Sequence, residues 1–231
     1  MIRHGQASFG SENYDCLSQK GELQSRVLAE HLLAAGVCAD ALYSGEMKRQ
    51  IDTAARMVEI SAGCHNAVPV SVVDSAFNEY CSQEIIVSFV QEIIGEDPLL
   101  KDDLLQAYHD KKKFQVLFEA VLSGWATGKY KKEGLDTWDK FAQRVWNGLA
   151  RIMENNSPGK TILIFTSGGP ISAALQKALG LSNKDAIRLG WQLANASLTR
   201  FVFTKDRFTL ASFNETAYLA LHREMDLITY R

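Results

Sequence analysis

The chain has 231 residues, 46% of them hydrophobic and 23% charged, with a formal net charge of −2. That is ordinary globular composition, and enough chain to bury a substantial core. A balance so close to neutral offers no basic field for nucleic acid or an anionic membrane, and no run of about 18 apolar residues could span a bilayer. The four cysteines, Cys16, Cys38, Cys64 and Cys81, show no C-x-x-C spacing, and no signal-peptide pattern opens the chain. They are expected to be reduced, mostly buried thiols of a cytoplasmic protein.

The first residues read MIRHGQASFG, with Arg3 and His4 at what should be a strand end. A central strand needs roughly five residues, so either this strand is short or, as expected, the true start lies upstream of Met1. Leu23, Val27, Leu28 and Leu32 recur at helical spacing after Ser18, an N-cap candidate, and Gly36 should stop that helix. DALYS reads as a strand end. Met47, Ile51, Ala54, Ala55 and Val58 mark a second amphipathic helix. AVPVSVV at 67–73 is short and β-branched, which predicts a strand.

The middle is helical. Phe114, Leu117, Phe118, Val121, Leu122 and Trp125 form one apolar stripe, and Trp138, Phe141, Val145, Leu149 and Ile152 form another. Between them GWATGKYKKEG (124–134) reads as an exposed loop whose KYKK is a solvated face. KTILIF (160–165) is a continuous apolar run, as expected of a buried central strand. TSGGP follows and leads into a helix carrying Ile171, Ala174, Leu175 and Leu179, with Pro170 in its first turn and Gly180 past its end. SLTRFVFT and RFTLASF predict two more strands around Lys205 and Asp206. Alternating strands and helices predict an α/β three-layer sandwich with a mostly parallel sheet. It is expected to be a single domain over 1–231, with a helical insertion at about 82–154.

In such a sheet the ligand crevice lies at the carboxyl ends of strands, where RHG and TSGGP both fall. The Gly-Gly turn feeds a helix N-terminus, which favours an anion, although a tight turn alone explains it equally well. RHGQAS (3–8) resembles the Arg-His-Gly signature of the histidine phosphatase superfamily, whose best-known branch is the cofactor-dependent phosphoglycerate mutases. YSGEMKRQIDTA (43–54) is similar to the segment carrying the family's second arginine. FNEY (77–80) resembles its acidic segment, TSGGPI (166–171) its Ser-His-Gly-Gly segment, and FNETAYL (213–219) its late strand. These matches run nearly the whole length in family order.

The resemblance implies a phosphoglycerate-mutase-like fold and hydrolysis of a small phosphomonoester through a phosphohistidine on His4. It implies that Glu79 is the general acid/base and that Arg3, Arg49, Ser167 and Gly168 bind phosphate, with no metal and no cofactor. The chemistry agrees. Arginines grip phosphate in bidentate fashion, a neutral imidazole can attack phosphorus, and a desolvated carboxyl can protonate a leaving alkoxide. Taken singly, each residue has a plainer reading: a packed histidine, an Arg49–Asp52 surface pair, a solvated Glu79.

Two departures matter. Ser167 stands where the family has its second histidine, and a hydroxyl adds no positive charge. That expects a pocket that is intact but underpowered, or one tuned to a compensating substrate; His222 is a further candidate to fill the gap. The mutases' Arg-His-Tyr-Gly run and their asparagine five residues past the Arg-His-Gly glycine are missing, with NEYCSQE and Gly10 instead, so hydrolysis is expected over mutase turnover. Two rivals stay open: a weakly catalytic phosphate-binding or regulatory protein on the same fold, and an unrelated Cys or Ser hydrolase, for which no G-x-S-x-G exists. The expected partner is a small phosphorylated substrate, with no nucleic acid and no membrane. A homodimer would use apolar strands and Trp-bearing helices that core packing explains equally well.

Overall fold

The apolar run at 160–165 forms the centre of the sheet. In a computed structural model, which describes residues 1–8, 15–62, 67–96, 111–222 and 226–230, strand β4 (Ile162–Thr166) lies between β1 (Ile2–Arg3) and β2 (Ala41–Ser44). The short β3 (Val72–Val73) flanks β2 at one edge; β5 (Leu198–Phe203) and β6 (Phe208–Glu215) extend the other, giving the order β3-β2-β4-β1-β5-β6. The first four strands of that order are parallel, and β5 is antiparallel to both of its neighbours.

The pleat of β4 sends alternate side chains into two cores. Leu163 and Phe165 join Ile2 and Leu42 beneath α1 (Gln19–Ala34), α2 (Lys48–Ser61) and the short α8 (Ala217–Ala220). Ile164 faces the other way, toward α3 (Ser82–Glu96), α4 (Lys111–Ala126), α5 (Trp138–Asn155), α6 (Gly168–Leu179) and α7 (Asn183–Gly190). Fully burying a side chain such as Phe165 or Leu42 contributes about 1.5–3 kcal/mol. The result is the α/β three-layer arrangement read from the alternation of elements.

Local signals place the helices. The Ser18 hydroxyl caps α1 by accepting from the Gly21 N–H at 3.1 Å, and Gly36 follows the helix at φ 71°. Thr137 and Ser182 cap α5 and α7 in the same way. Gly180 ends α6 in the left-handed region, at φ 65°.

Three expectations need correction. The 67–73 strand narrows to Val72–Val73, because Pro69 lacks a ladder N–H and the edge leaves Val70 81% exposed. The loop expected from Gly124 begins later. Gly124, Trp125 and Ala126 complete α4, the last two buried, and the Tyr130 ring folds back over Gly124, where a Cβ would sit 2.1 Å from it. The three described cysteines are not core residues: Cys38 and Cys81 are exposed and Cys16 is half-buried. Cys64, Gly10 and the Phe114 side chain lie outside the described residues. Among the described residues no helix is long and apolar enough to cross a membrane.

Candidate functional site

Parallel register decides which residues meet. Arg3 pairs with Thr166 and Ser44 with Phe165, so β1, β2 and β4 end side by side. His4 and Ser167 are the next residues beyond two of those ends, and α2 starts just past the third. A cavity of about 600 Å³ opens there. Arg3, His4, Arg49, Glu79 and Gly168 all line it, from four stretches scattered over the sequence.

His4 is buried and its backbone is clamped. Its N–H donates to the Thr166 carbonyl at 2.8 Å, and its carbonyl accepts from Ala196 N–H (3.2 Å) and Asn195 Nδ2 (3.3 Å). Ala196 adopts φ 58°, a left-handed conformation unusual for a residue with a Cβ, and the Tyr218 hydroxyl donates to its carbonyl. The imidazole Nδ1 lies 2.7 Å from the Gly5 carbonyl, so Nδ1 holds the proton and donates. Nε2 is then the acceptor, and it takes an N–H from Arg49 Nε at 3.1 Å. Burial, then the positive charges of Arg49 and Arg3, pushes the imidazole well below its usual 6.5, which keeps it neutral. Gly5 has to be glycine, because a Cβ would sit 2.4 Å from the Gly21 carbonyl oxygen.

Arg3 anchors its guanidinium on the Leu193 carbonyl. Arg49, in the first turn of α2, donates from Nη1 to Asp15 at 2.5 Å and from Nη2 to the Met47 sulfur at 3.0 Å. Asp52, the partner that the plainer reading of Arg49 offered, pairs instead with Lys48 at 2.8 Å. Asp15 also accepts from the Lys48 N–H at the start of α2 (2.8 Å), where the helix dipole favours a carboxylate. An acidic side chain is therefore already seated on Arg49.

Glu79 sits outside any helix or strand, between the 3₁₀ turn Ser75–Phe77 and α3. Its carboxylate accepts from Gly169 N–H at 2.9 Å, in the first turn of α6, and from its own neighbour Tyr80 N–H at 3.1 Å. Burial raises its carboxyl above the usual 4.5, against the pull of those hydrogen bonds and of the two arginines. A Cβ on residue 169 would lie 1.9 Å from the Glu79 carboxylate, so glycine is required by space. The segment is pinned from several sides. The Phe77 carbonyl accepts from Thr166 Oγ1 (2.7 Å) and Gln50 Nε2 (3.1 Å), and Arg144 reaches the Ser75 and Asn78 carbonyls. The Tyr80 ring packs on Trp125 and Phe141.

Ser167 is placed differently from its five companions. It is buried, its Oγ accepts from Gln50 Nε2 at 2.7 Å, and the cavity wall at this point is Gly168 and Gly169 instead. His222 is not among the described residues that line the cavity. Asp15, Gln50, Arg144 and Asn195 escaped the reading of the sequence. Gln50 stood beside Arg49 in the quoted segment, so its position was visible there; the other three lie in stretches without a motif.

Residues 103–216 match the family model of the histidine phosphatase superfamily (branch 1). The chain has that superfamily's fold. Bacillus stearothermophilus YhfR superposes with a TM-score of 0.65 at 18% identity, covering 94% of this chain and 96% of that one. Phosphoserine phosphatase from Entamoeba histolytica gives 0.63 at 18% identity, covering 94% and 96%. A mycobacterial glucosyl-3-phosphoglycerate phosphatase gives 0.62 at 19% identity, covering 94% and 97%, and has also been solved with inorganic phosphate. At such identities the likeness concerns the histidine phosphatase fold. No curated protein sequence matches the chain significantly.

Proposed function

We propose that this protein is a histidine phosphatase that hydrolyses a phosphomonoester through phospho-His4. The observation carrying the reading is the state of His4: a buried, neutral imidazole, fixed as the Nδ1–H tautomer, with Nε2 turned toward a guanidinium in the cavity floor. The phosphatase neighbours of this fold support it.

A phosphoryl group brought between Arg3 and Arg49 offers the guanidinium anionic oxygens, better acceptors than the imidazole. Arg49 turns to them and uncovers the Nε2 lone pair. Nε2 attacks phosphorus; the P–N bond forms as the P–O bond to the leaving group breaks, and that electron pair stays on oxygen. The protonated Glu79 carboxyl supplies the proton, for which its burial prepares it. Glu79, now a carboxylate, then takes a proton from water as the water oxygen attacks phosphorus. The P–N bond breaks, its electrons return to Nε2, and inorganic phosphate leaves. Positioning and charge neutralisation carry most of the work in phosphoryl transfer.

The test is a phosphomonoester panel at mildly acidic and neutral pH, with trapping of the phosphoenzyme. Turnover with phosphate on His4, reduced by roughly 10⁴-fold or more in His4→Ala, is expected. Undiminished turnover in His4→Ala overturns the reading. Phosphate binding with no turnover across the panel favours the regulatory alternative, which the burial of Ser167 keeps in play. With 2,3-bisphosphoglycerate, no interconversion of phosphoglycerates is expected.

A further inference from the structure

Resting on the phosphatase reading above, we propose that the substrate is a phosphomonoester whose alcohol is apolar, of about the size of an aromatic ring, and carries no second anionic group. The floor and the walls of the cavity differ in kind. The floor holds the two arginines, His4 and Glu79. The walls hold Tyr80, Ile86, Val87, Phe118, Ile187 and Trp191. These come from α3, α4, α7 and the segments beside them, which supply one floor residue, Glu79, next to Tyr80.

The size fits. The cavity, about 600 Å³, is within the roughly 300–1,000 Å³ of sites that enclose a whole small organic molecule. A phosphate on the floor leaves most of that space to the leaving group. The apolar lining continues to the rim, where Val87 on α3 is 71% exposed.

The charges fit as well. Among the described lining residues Arg3 and Arg49 are the only cations, and both face the phosphoryl group. A carboxylate or second phosphate on the leaving group would lie against hydrocarbon without a counter-charge, and burying an unpaired anion is strongly unfavourable. Glu79 is the only described carboxylate in the lining, and its proton is needed for the leaving oxygen, so an ammonium finds no partner either. The other polar side chains there, Ser82 and Gln83 among them, are neutral and accommodate a hydroxyl or an amide.

The experiment compares kcat/KM for ethyl phosphate, 2-phenylethyl phosphate and 3-phosphoglycerate on the full chain. The first two release alcohols of nearly equal basicity, so their ratio reads the wall contacts and not the chemistry. The phenyl ester is expected to exceed the ethyl ester roughly 10- to 100-fold, and 3-phosphoglycerate to fall below the phenyl ester by at least about as much. Values for the three esters within about threefold overturn the proposal while leaving the phosphatase reading intact. No turnover of any ester and no phospho-His4 overturn that reading and this one together. Val87→Lys, at an exposed rim position that threatens no core, is expected to lower the ratio of phenyl ester to 3-phosphoglycerate at least about fivefold. An unchanged ratio counts against the proposal.

Discussion

The two sides of the cavity floor are held by different means. On the cationic side, Arg3 and His4 end a strand and Arg49 opens a helix, so regular structure delivers them. On the acidic side Glu79 belongs to no regular element. Its place depends on Thr166, Gln50, Arg144 and Gly169, which come from the sheet, α2, α5 and α6. A site whose grip is local and whose acid is tertiary should lose affinity and rate separately. Damage to the cationic side should weaken phosphate binding, and damage to the acidic side should slow leaving-group departure at unchanged affinity.

Glu79→Gln is the strongest test of that separation. For alkyl phosphates, whose leaving oxygen needs a proton, kcat should fall roughly 10²- to 10⁴-fold with the inhibition constant of inorganic phosphate little changed. For 4-nitrophenyl phosphate, whose leaving group needs none, the loss in kcat/KM should be much smaller, while kcat still reports the water step that Glu79 also serves. The pH profile of the wild type carries the same signature. The acid limb belongs to His4, whose pKa is lowered, so it should lie well below 6.5; the alkaline limb belongs to Glu79, whose pKa is raised, so it should lie above 4.5. In stability the two oppose each other. The neutral His4 contributes above 6.5 and its contribution is lost as pH falls through that value toward its lower folded pKa. The protonated Glu79 contributes below 4.5 and is lost as pH rises through its raised folded pKa. Glu79→Gln should therefore flatten the alkaline side of a melting-temperature profile. A profile with the wild-type alkaline slope would contradict the assignment.

Arg49→Lys is the matching lesion on the other side, with an effect roughly ten- to a hundredfold on kcat/KM. Lysine keeps the charge but cannot hold a phosphate through a planar fork, nor cover the His4 Nε2 with an Nε–H when the site is empty. The expected result is a raised inhibition constant for phosphate and an unshifted acid limb. Arg49→Met removes the charge as well, and because that charge lowers the His4 pKa, the acid limb should move upward. An acid limb unmoved in Arg49→Met would show that the two side chains do not interact in solution.

The same division explains what the sequence made legible. Strand, helix and cap signals lie within a few residues of one another, so β4, α1, α2 and α6 were readable, and with them the end of the sheet where Arg3, His4 and Arg49 gather. Glu79 was found through its resemblance to a family segment, since nothing local marks it. Its supports were out of reach because Arg144 bonds carbonyls across 66 residues of chain and Thr166 across 89. The Arg49–Asp52 pair, the plainer alternative for Arg49, does not form for a related reason. Helical spacing permits it, but it takes the tertiary placement of Asp15 to draw Arg49 inward and leave Asp52 to Lys48.

Ser167 is where the two sides touch, and its effects are expected to be the smallest. Gln50 spans the gap: its Nε2 reaches both Ser167 Oγ and the Phe77 carbonyl, and its Oε1 accepts from Met47 N–H at 3.3 Å. Ser167→Ala removes one of those acceptors and leaves the others, so it should cost about 1 kcal/mol of stability and change kcat only a few-fold. Ser167→His alone should do worse, because an imidazole in this buried position displaces Gln50 and, through Phe77, loosens the segment that carries Glu79. If a missing positive charge is what weakens the pocket, the gain should appear only once room is made. Ser167→His combined with Gln50→Ala should bind inorganic phosphate several-fold more tightly than Gln50→Ala alone, as a charge-assisted hydrogen bond would. Equal affinity in the two would mean that position 167 is a brace between the sides of the site and was never a seat for phosphate.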